Sequence, residues 1–182
     1  DFSIWNPTIN ADISILPIAS SSNASNYPNA THVKYEDGYE FFLGFNNSEY
    51  TFHGEASIIN SIYPSSLVIH PYPFNVGDTH TDSELNIPFT VPGGPPSLER
   101  NDQVSSEAVS SGDITMPDGT IHNNATLVYT TRTWTDGQTG SSPCVTTLNA
   151  YQWWVAGYAI PVVQSYSMIS TGQCPPNSVY VT

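Results

Sequence analysis

The sequence predicts an all-β protein, an antiparallel β-sandwich or flattened barrel of about ten short strands. Fifteen prolines and 12 glycines are spread along the 182 residues, and they would cut most helices short. Apolar and polar residues alternate with a period of two, as at Val33 and Tyr35 among His32, Lys34 and Glu36. Turn signals separate such segments, and this succession is typical of an antiparallel sandwich or barrel.

The predicted strands follow one another along the whole chain. Ile13 and Ile15 alternate around Ser14, and Asp37-Gly38 and Asn46-Asn47 are the first turns between strands. The remaining predicted strands lie at 32–36, 39–45, 49–53, 65–70, 85–91, 104–116, 125–134, 145–155, 160–170 and 178–181. A chain of 182 residues suits a single domain spanning 1–182. Its strongest break in composition, near 92–97, predicts a rigid loop or a boundary between two subdomains.

The charge balance excludes two classes of partner. Three basic residues stand against 16 acidic ones, so the formal net charge is −13. Such a chain repels nucleic acid and anionic bilayers, and its longest apolar runs are too short for a membrane helix. Solubility rests mainly on Ser, Thr and Asn, a composition that suits a secreted or cell-surface protein.

Two cysteines predict a disulfide; the alternative is two unrelated buried thiols. Cys144 and Cys174 are too few for a zinc site and too far apart for a CxxC redox motif. A hairpin of 145–155 and 160–170, turning near Gly157, places position 144 roughly opposite 170, with Cys174 at the same edge. A disulfide there indicates an oxidising compartment. Asn23, Asn29, Asn46 and Asn124 begin Asn-x-Ser/Thr sequons, which in this composition are expected by chance or, in a eukaryote, mark glycosylation.

Several motifs resemble a group of secreted proteins of Bacteroidota, those exported by the type IX system with a removable C-terminal sorting domain. The motifs are Asp1-Phe2-Ser3, Tyr72-Pro-Phe-Asn-Val-Gly-Asp78, Thr115-Met-Pro-Asp-Gly119 and Tyr151-Gln-Trp-Trp-Val-Ala-Gly-Tyr-Ala-Ile-Pro161. Ala156, where the group usually has proline, and the cysteine pair depart from it. The resemblance implies export and surface display or release, with any sorting domain removed or outside these residues. It implies no particular catalytic activity.

One acidic segment is a candidate metal site. In an extended strand, Asp78, His80, Asp82 and Glu84 point to one face, so oxygen ligands and one imidazole could hold Ca²⁺ or another divalent ion. Alternate positions lie ~7 Å apart, so other loops would have to complete the site. The alternative is a solvated polar edge that discourages edge-to-edge pairing.

The aromatic residues are a candidate ligand-binding platform. Trp153 and Trp154 are adjacent, so on a strand they face opposite sides and at most one enters a given core. An exposed tryptophan can cover the apolar face of a sugar, and Trp134, Tyr129, Tyr151 and Tyr158 could join it. The alternative is that these rings pack in the core or under loops.

Catalytic signals are weak. The chain has no GxSxG or HExxH motif, and a disulfide would leave no thiol to act as nucleophile. Arg132 shares a predicted strand face with Val128, Thr130 and Trp134, which predicts an ion pair on the sheet or, as an alternative, a carboxylate-binding role.

We therefore expect a secreted or cell-surface β domain with a structural or binding role in an extracellular assembly or adhesion. The expected partners are other surface proteins or glycans. One alternative is a carbohydrate-binding module that uses Trp153 or Trp154 with Tyr158. Another is a metal-dependent or glycan-active hydrolase that uses Asp78, His80 and Asp82.

Overall fold

The computed structural model describes residues 13–36, 38–95, 98–138, 142–158 and 160–174. It confirms the all-β prediction: ten antiparallel strands form one curled sheet in which each strand is hydrogen-bonded to the next along the chain. The strands are β1 (Ser14–Pro17), β2 (His32–Glu36), β3 (Tyr39–Phe45), β4 (Glu49–Ala56), β5 (Asn60–Pro71), β6 (Thr79–Thr90), β7 (Leu98–Thr115), β8 (Ile121–Gln138), β9 (Cys144–Trp154) and β10 (Val163–Gly172). Two short 3₁₀ helices, Ile18–Ser20 and Ala24–Asn26, lie between β1 and β2.

Each predicted strand between residues 13 and 170 coincides with an observed one. Strands β7 and β8 have 18 residues each and extend well beyond their predicted bounds. The extensions are residues 98–103 of β7 and 121–124 and 135–138 of β8. They contain Asn, Asp, Gln and Gly, a composition typical of loops, and tertiary pairing overrides it. The predicted strand at 178–181 and Asp37 of the first turn lie outside the described residues. Within the described ranges, no helix is long and apolar enough to cross a membrane.

Alternation along β7 shows why the sequence forms strands here. Its residues from Glu99 to Ala108 are alternately exposed and buried, and the buried positions include Arg100, Asp102 and Val104. A period of two is the geometry of a strand with one face on a core. The turn between β7 and β8 contains Gly119, and the turn between β9 and β10 contains Gly157. Both glycines have a φ of 87°, a conformation in which a side chain would be strained.

The sheet folds over between β5 and β6, which produces two facing layers. Strand β5 follows β4 along much of its length but pairs with β6 only at Asn60–Thr90 and Ser61–Phe89. Beyond that corner, β1 to β5 form a first layer and β6 to β10 a second. Phe52 and Leu67 of the first layer belong to the same buried cluster as Val128 of the second, so the main core lies between the layers.

The loop near 92–97 connects β6 and β7, which pair directly through Phe89 and Leu98. It therefore joins two neighbouring strands of one sheet; positions 96 and 97 lie outside the described residues. The disulfide between Cys144 and Cys174 is confirmed. Strands β9 and β10 form the predicted hairpin, with Cys144 opposite Gly172.

Candidate functional site

A large cavity lies between the two layers, beside the apolar core. Its volume is about 1000 Å³, at the upper end of the range of ligand pockets. Most of its wall is apolar. The side chains that give it this character include Phe41, Leu43, Phe52, Phe89, Leu148 and Met168.

All three basic residues of the chain line this cavity. Lys34, Arg100 and Arg132 are the only lysine and arginines in the sequence. Each is paired with a carboxylate: Lys34 with Glu36 at 2.6 Å, Arg132 with Asp102 at 2.6 Å, and Arg100 with both Glu55 and Asp136. The positive charges are therefore neutralised within the cavity wall.

Arg132 forms the ion pair that its strand position predicts. Its Nε and Nη2 atoms donate to Asp102, whose side chain is fully buried, and Tyr63 Oη also donates to that carboxylate. Burial alone would lower the pKa of Arg132, but Asp102 raises it above its ordinary value. The guanidinium also lies 4.0 Å from the ring centroid of Phe52, a cation–π contact.

Arg100 is held more tightly still. Its side chain is almost fully buried, donates to Glu55 through Nη1 and binds Asp136 through Nε and Nη2 at 2.6 and 2.8 Å. Although burial opposes the charge, Glu55 and Asp136 raise the pKa of Arg100 well above its usual range. Such a bidentate pair fixes the orientation of both partners.

Two aromatic residues shape the cavity. Trp134, a predicted ligand-binding residue, is partly exposed in the wall, with its ring centroid 5.7 Å from the guanidinium carbon of Arg100 and 5.4 Å from that of Arg132. Tyr166 of β10 donates to Glu36 of β2 at 3.2 Å. This bond connects the two layers across the cavity.

One buried polar atom in the cavity wall has no partner among the described residues. Gln152 is 8% exposed, and its Nε2 donates to Gln164 at 2.9 Å, which orients the amide. Its Oε1 is left without a hydrogen bond. Since buried polar atoms are normally paired, this oxygen can accept a hydrogen bond from a bound molecule.

The two adjacent tryptophans face opposite sides, as predicted. Trp154 is 4% exposed and packs against Tyr50 and His70, with ring centroids 4.9 and 4.7 Å away, so it belongs to the core. Trp153 lies on the outer face and is partly exposed. Tyr158 lies in the turn between β9 and β10, where its ring contacts His122 at 5.3 Å.

The candidate metal ligands are dispersed among backbone contacts. Asp78 Oδ2 accepts from Asn75 N in the turn before β6, at 2.7 Å. His80 Nε2 contacts Val68 O at 3.0 Å, and Asp82 Oδ2 accepts from Val68 N at 2.7 Å. These two side chains replace the strand pairing that β5 and β6 lack at this point. No group of three or more metal-ligating side chains occurs within the part of the chain that the structure describes.

The sequence interpretation missed Arg100, Asp102, Glu55 and Tyr63. Alternation along 98–108 was a signal for Arg100 and Asp102, because it places both on the buried face of β7. No comparable signal exists for Glu55 and Tyr63, since their contacts depend on how the first layer folds over the second.

The chain matches no protein-family model, no curated protein and no solved structure at a significant level. Its resemblance to the type IX exported proteins stays a prediction.

Below about pH 6.5 the folded chain should lose stability because of His70. This residue is 1% exposed, and burial lowers its pKa to about 4. In the unfolded chain the imidazole protonates below about pH 6.5, whereas in the folded chain it stays neutral down to about pH 4. Protonation therefore favours the unfolded chain, and the free energy of unfolding falls as the pH decreases between these two values and does not change further because of His70 at lower pH. We expect a loss of about 2 kcal/mol at pH 5.

Urea denaturation at a series of pH values measures this loss. His70→Phe should show a shallower decline between pH 6.5 and pH 4 than the unmodified protein, whereas His122→Phe, at a partly exposed position, should not. An unchanged decline in His70→Phe would contradict the assignment.

Proposed function

We propose that this chain is an extracellular binding domain that holds a small, uncharged and mainly apolar molecule in the cavity between its layers. The cavity itself carries the proposal. A space of about 1000 Å³ with mostly apolar walls and a few polar groups has the character of a ligand pocket. The proposed role falls within the binding role that the sequence predicts.

The charges in the wall support an uncharged ligand. Three acidic side chains, Glu36, Glu55 and Asp136, line the cavity with the three basic ones, and Asp102 lies buried behind Arg132. An anion would meet no unpaired cation, and it would add a desolvation cost that nothing in the wall offsets. A cation would face the same cost because the carboxylates are already engaged.

Gln152 supports a hydrogen-bond donor on the ligand. Its unpartnered Oε1 lies in a wall that is otherwise largely apolar. A ligand N–H or O–H group placed there would satisfy that oxygen, while its apolar body fills the space beside Leu148 and Met168.

Titration with N-phenylnaphthylamine tests this proposal, because this uncharged aromatic amine carries one N–H and fluoresces in apolar surroundings. We expect saturable binding at one site per chain. Anilinonaphthalene sulfonate has a similar body with a negative charge and should bind at least about tenfold more weakly, a difference of ~1.4 kcal/mol.

Two tryptophan substitutions at neighbouring positions of β10 form a matched pair. Met168 lines the cavity, whereas Ile169 is 63% exposed on the opposite face. Met168→Trp should narrow the cavity and weaken dye binding, and Ile169→Trp should bind the dye as the unmodified protein does. Equal binding by both variants, or equal affinity for the two dyes, would refute the proposal.

Extracellular location is the second part of the proposal. The disulfide supports it, because such bonds persist mainly in oxidising compartments. Export by a type IX system, and assembly with other surface proteins, remain predictions from the sequence.

A further inference from the structure

We propose that the outward surface of β6 to β10, on the side opposite the cavity, binds an uncharged polysaccharide chain. This inference goes beyond the cavity ligand, because it concerns other residues and another class of molecule. It is carried by an ordered row of hydrogen-bonding side chains that ends beside exposed aromatic rings.

The register of the strands aligns five polar residues in one row. Thr81 pairs with Ser105, Ser105 with Thr131, Thr131 with Asn149, and Asn149 with Ser167. Paired residues project from the same face, so these five side chains form a continuous line across five strands, here called the hydroxyl row. Four inter-strand gaps of ~4.8 Å make the row about 19 Å long, enough for several sugar rings.

Aromatic rings lie beside this row. Tyr151 is 52% exposed, and its ring centroid lies 4.8 Å from that of Tyr129. Trp153, two positions further along β9, projects from the same face as Tyr151. Flat rings that are partly exposed on a rigid sheet can stack on the apolar faces of pyranose rings.

Hydrogen bonds within the face hold its central amide in place. Tyr129 Oη and Thr131 Oγ1 both donate to Asn149 Oδ1, at 2.9 and 3.0 Å. With Oδ1 engaged, the Nδ2 group of Asn149 is the atom that can donate to a sugar hydroxyl. Asn149, whose side chain is oriented in this way, therefore connects the ring of Tyr129 with the hydroxyl row.

The charge of this face selects an uncharged partner. The protein carries a net charge of −13, yet the hydroxyl row contains only neutral side chains. The next row away from the rings is also neutral and consists of Ser83, Gln103, Thr133, Thr147 and Ile169. The row that holds the rings contains one carboxylate, Glu107, which is exposed and lies opposite Tyr129. A neutral polysaccharide satisfies such a face, while the surrounding negative charge repels an anionic one.

Affinity electrophoresis tests the inference with two polymers that share a backbone. Native gels would contain either hydroxyethyl cellulose, which is neutral, or carboxymethyl cellulose, which is anionic. We expect the neutral polymer to retard the protein and the anionic one to have at least about tenfold less effect, equivalent to ~1.4 kcal/mol. Retardation by laminarin or arabinoxylan instead of hydroxyethyl cellulose would support the same class of ligand.

Single substitutions locate the surface. Tyr151→Ala and Trp153→Ala should each weaken retardation by about tenfold or more, and thermal melts would verify that both variants fold. Tyr158→Ala is the matched control, since Tyr158 is 44% exposed but contacts His122 in the turn. The inference is overturned if no neutral polymer retards the protein, if the anionic polymer retards it equally, or if Tyr151→Ala behaves like Tyr158→Ala.

Discussion

Replacement of Asp102 by asparagine is expected to destabilise the folded chain by about 3 to 5 kcal/mol, the usual effect of breaking a buried ion pair from one side. Asp102 is fully buried and accepts hydrogen bonds from Arg132 and Tyr63. Asparagine keeps the size of the side chain but removes its charge. Arg132, whose side chain is only 17% exposed, would then keep a positive charge with no opposite charge beside it.

Urea denaturation near neutral pH measures this effect, and Glu107→Gln is the matched control. Glu107 lies on the same strand but on the exposed face, so its substitution should change stability by less than about 0.5 kcal/mol. Replacing both partners, Asp102→Leu with Arg132→Met, should recover at least half of the loss, because no charge is then left unpaired. If Asp102→Asn were as stable as Glu107→Gln, this ion pair would not stabilise the protein.

The fold was predictable because alternation with a period of two survives in most of the strands. It failed to mark the full length of β7 and β8, because inward positions there carry Arg100, Asp102 and Asp136 instead of apolar residues. The hairpin of β9 and β10 was predicted closely enough to place Cys144 near Cys174. Local pattern and turn chemistry decide these features, and both can be read from a short stretch of sequence.

The candidate site was less predictable because it depends on how the two layers face each other. Arg132 was expected in an ion pair, yet its partner Asp102 could be named only from the register of β7 and β8. His80 and Asp82 share a face, as alternation predicts. Strand β5 lies beside that face, so both side chains contact backbone atoms of Val68. Periodicity determines which side of a strand a residue occupies, whereas tertiary packing decides what it meets there.

The location of the basic residues connects the cavity with the character of the outer surface. Because Lys34, Arg100 and Arg132 all lie in the cavity wall, the rest of the surface is left with acidic and neutral side chains only. A mainly acidic exterior favours solubility, and it also repels anionic surfaces. Within the outer face of β6 to β10, the hydroxyl row and the row next to it carry no charge, which suits an uncharged polymer.

Loss of the disulfide is expected to destabilise the protein by about 3 to 4 kcal/mol, as the chain-entropy model gives for a loop of about 30 residues. The bond joins the beginning of β9 to the residues just after β10, and β10 is the edge strand because, within the described part of the chain, it pairs with β9 alone. Without the bond, the end of β10 would be held by backbone pairing and by contacts such as Thr146 Oγ1 with Ser170 Oγ at 2.8 Å. Hydrogen exchange should therefore become faster at the end of β10 before the rest of the sheet is affected.

The double variant Cys144→Ala with Cys174→Ala, compared with the unmodified protein with and without dithiothreitol, isolates this effect. Reduction should lower the denaturation midpoint of the unmodified protein to that of the variant and leave the variant unchanged; a midpoint insensitive to reduction would contradict the prediction. Domains are commonly stable by only about 5 to 15 kcal/mol, so a loss of this size is a large share of the total. A chain that depends on one disulfide to this extent keeps its edge strand, and with it the wall of the cavity, most securely in an oxidising compartment.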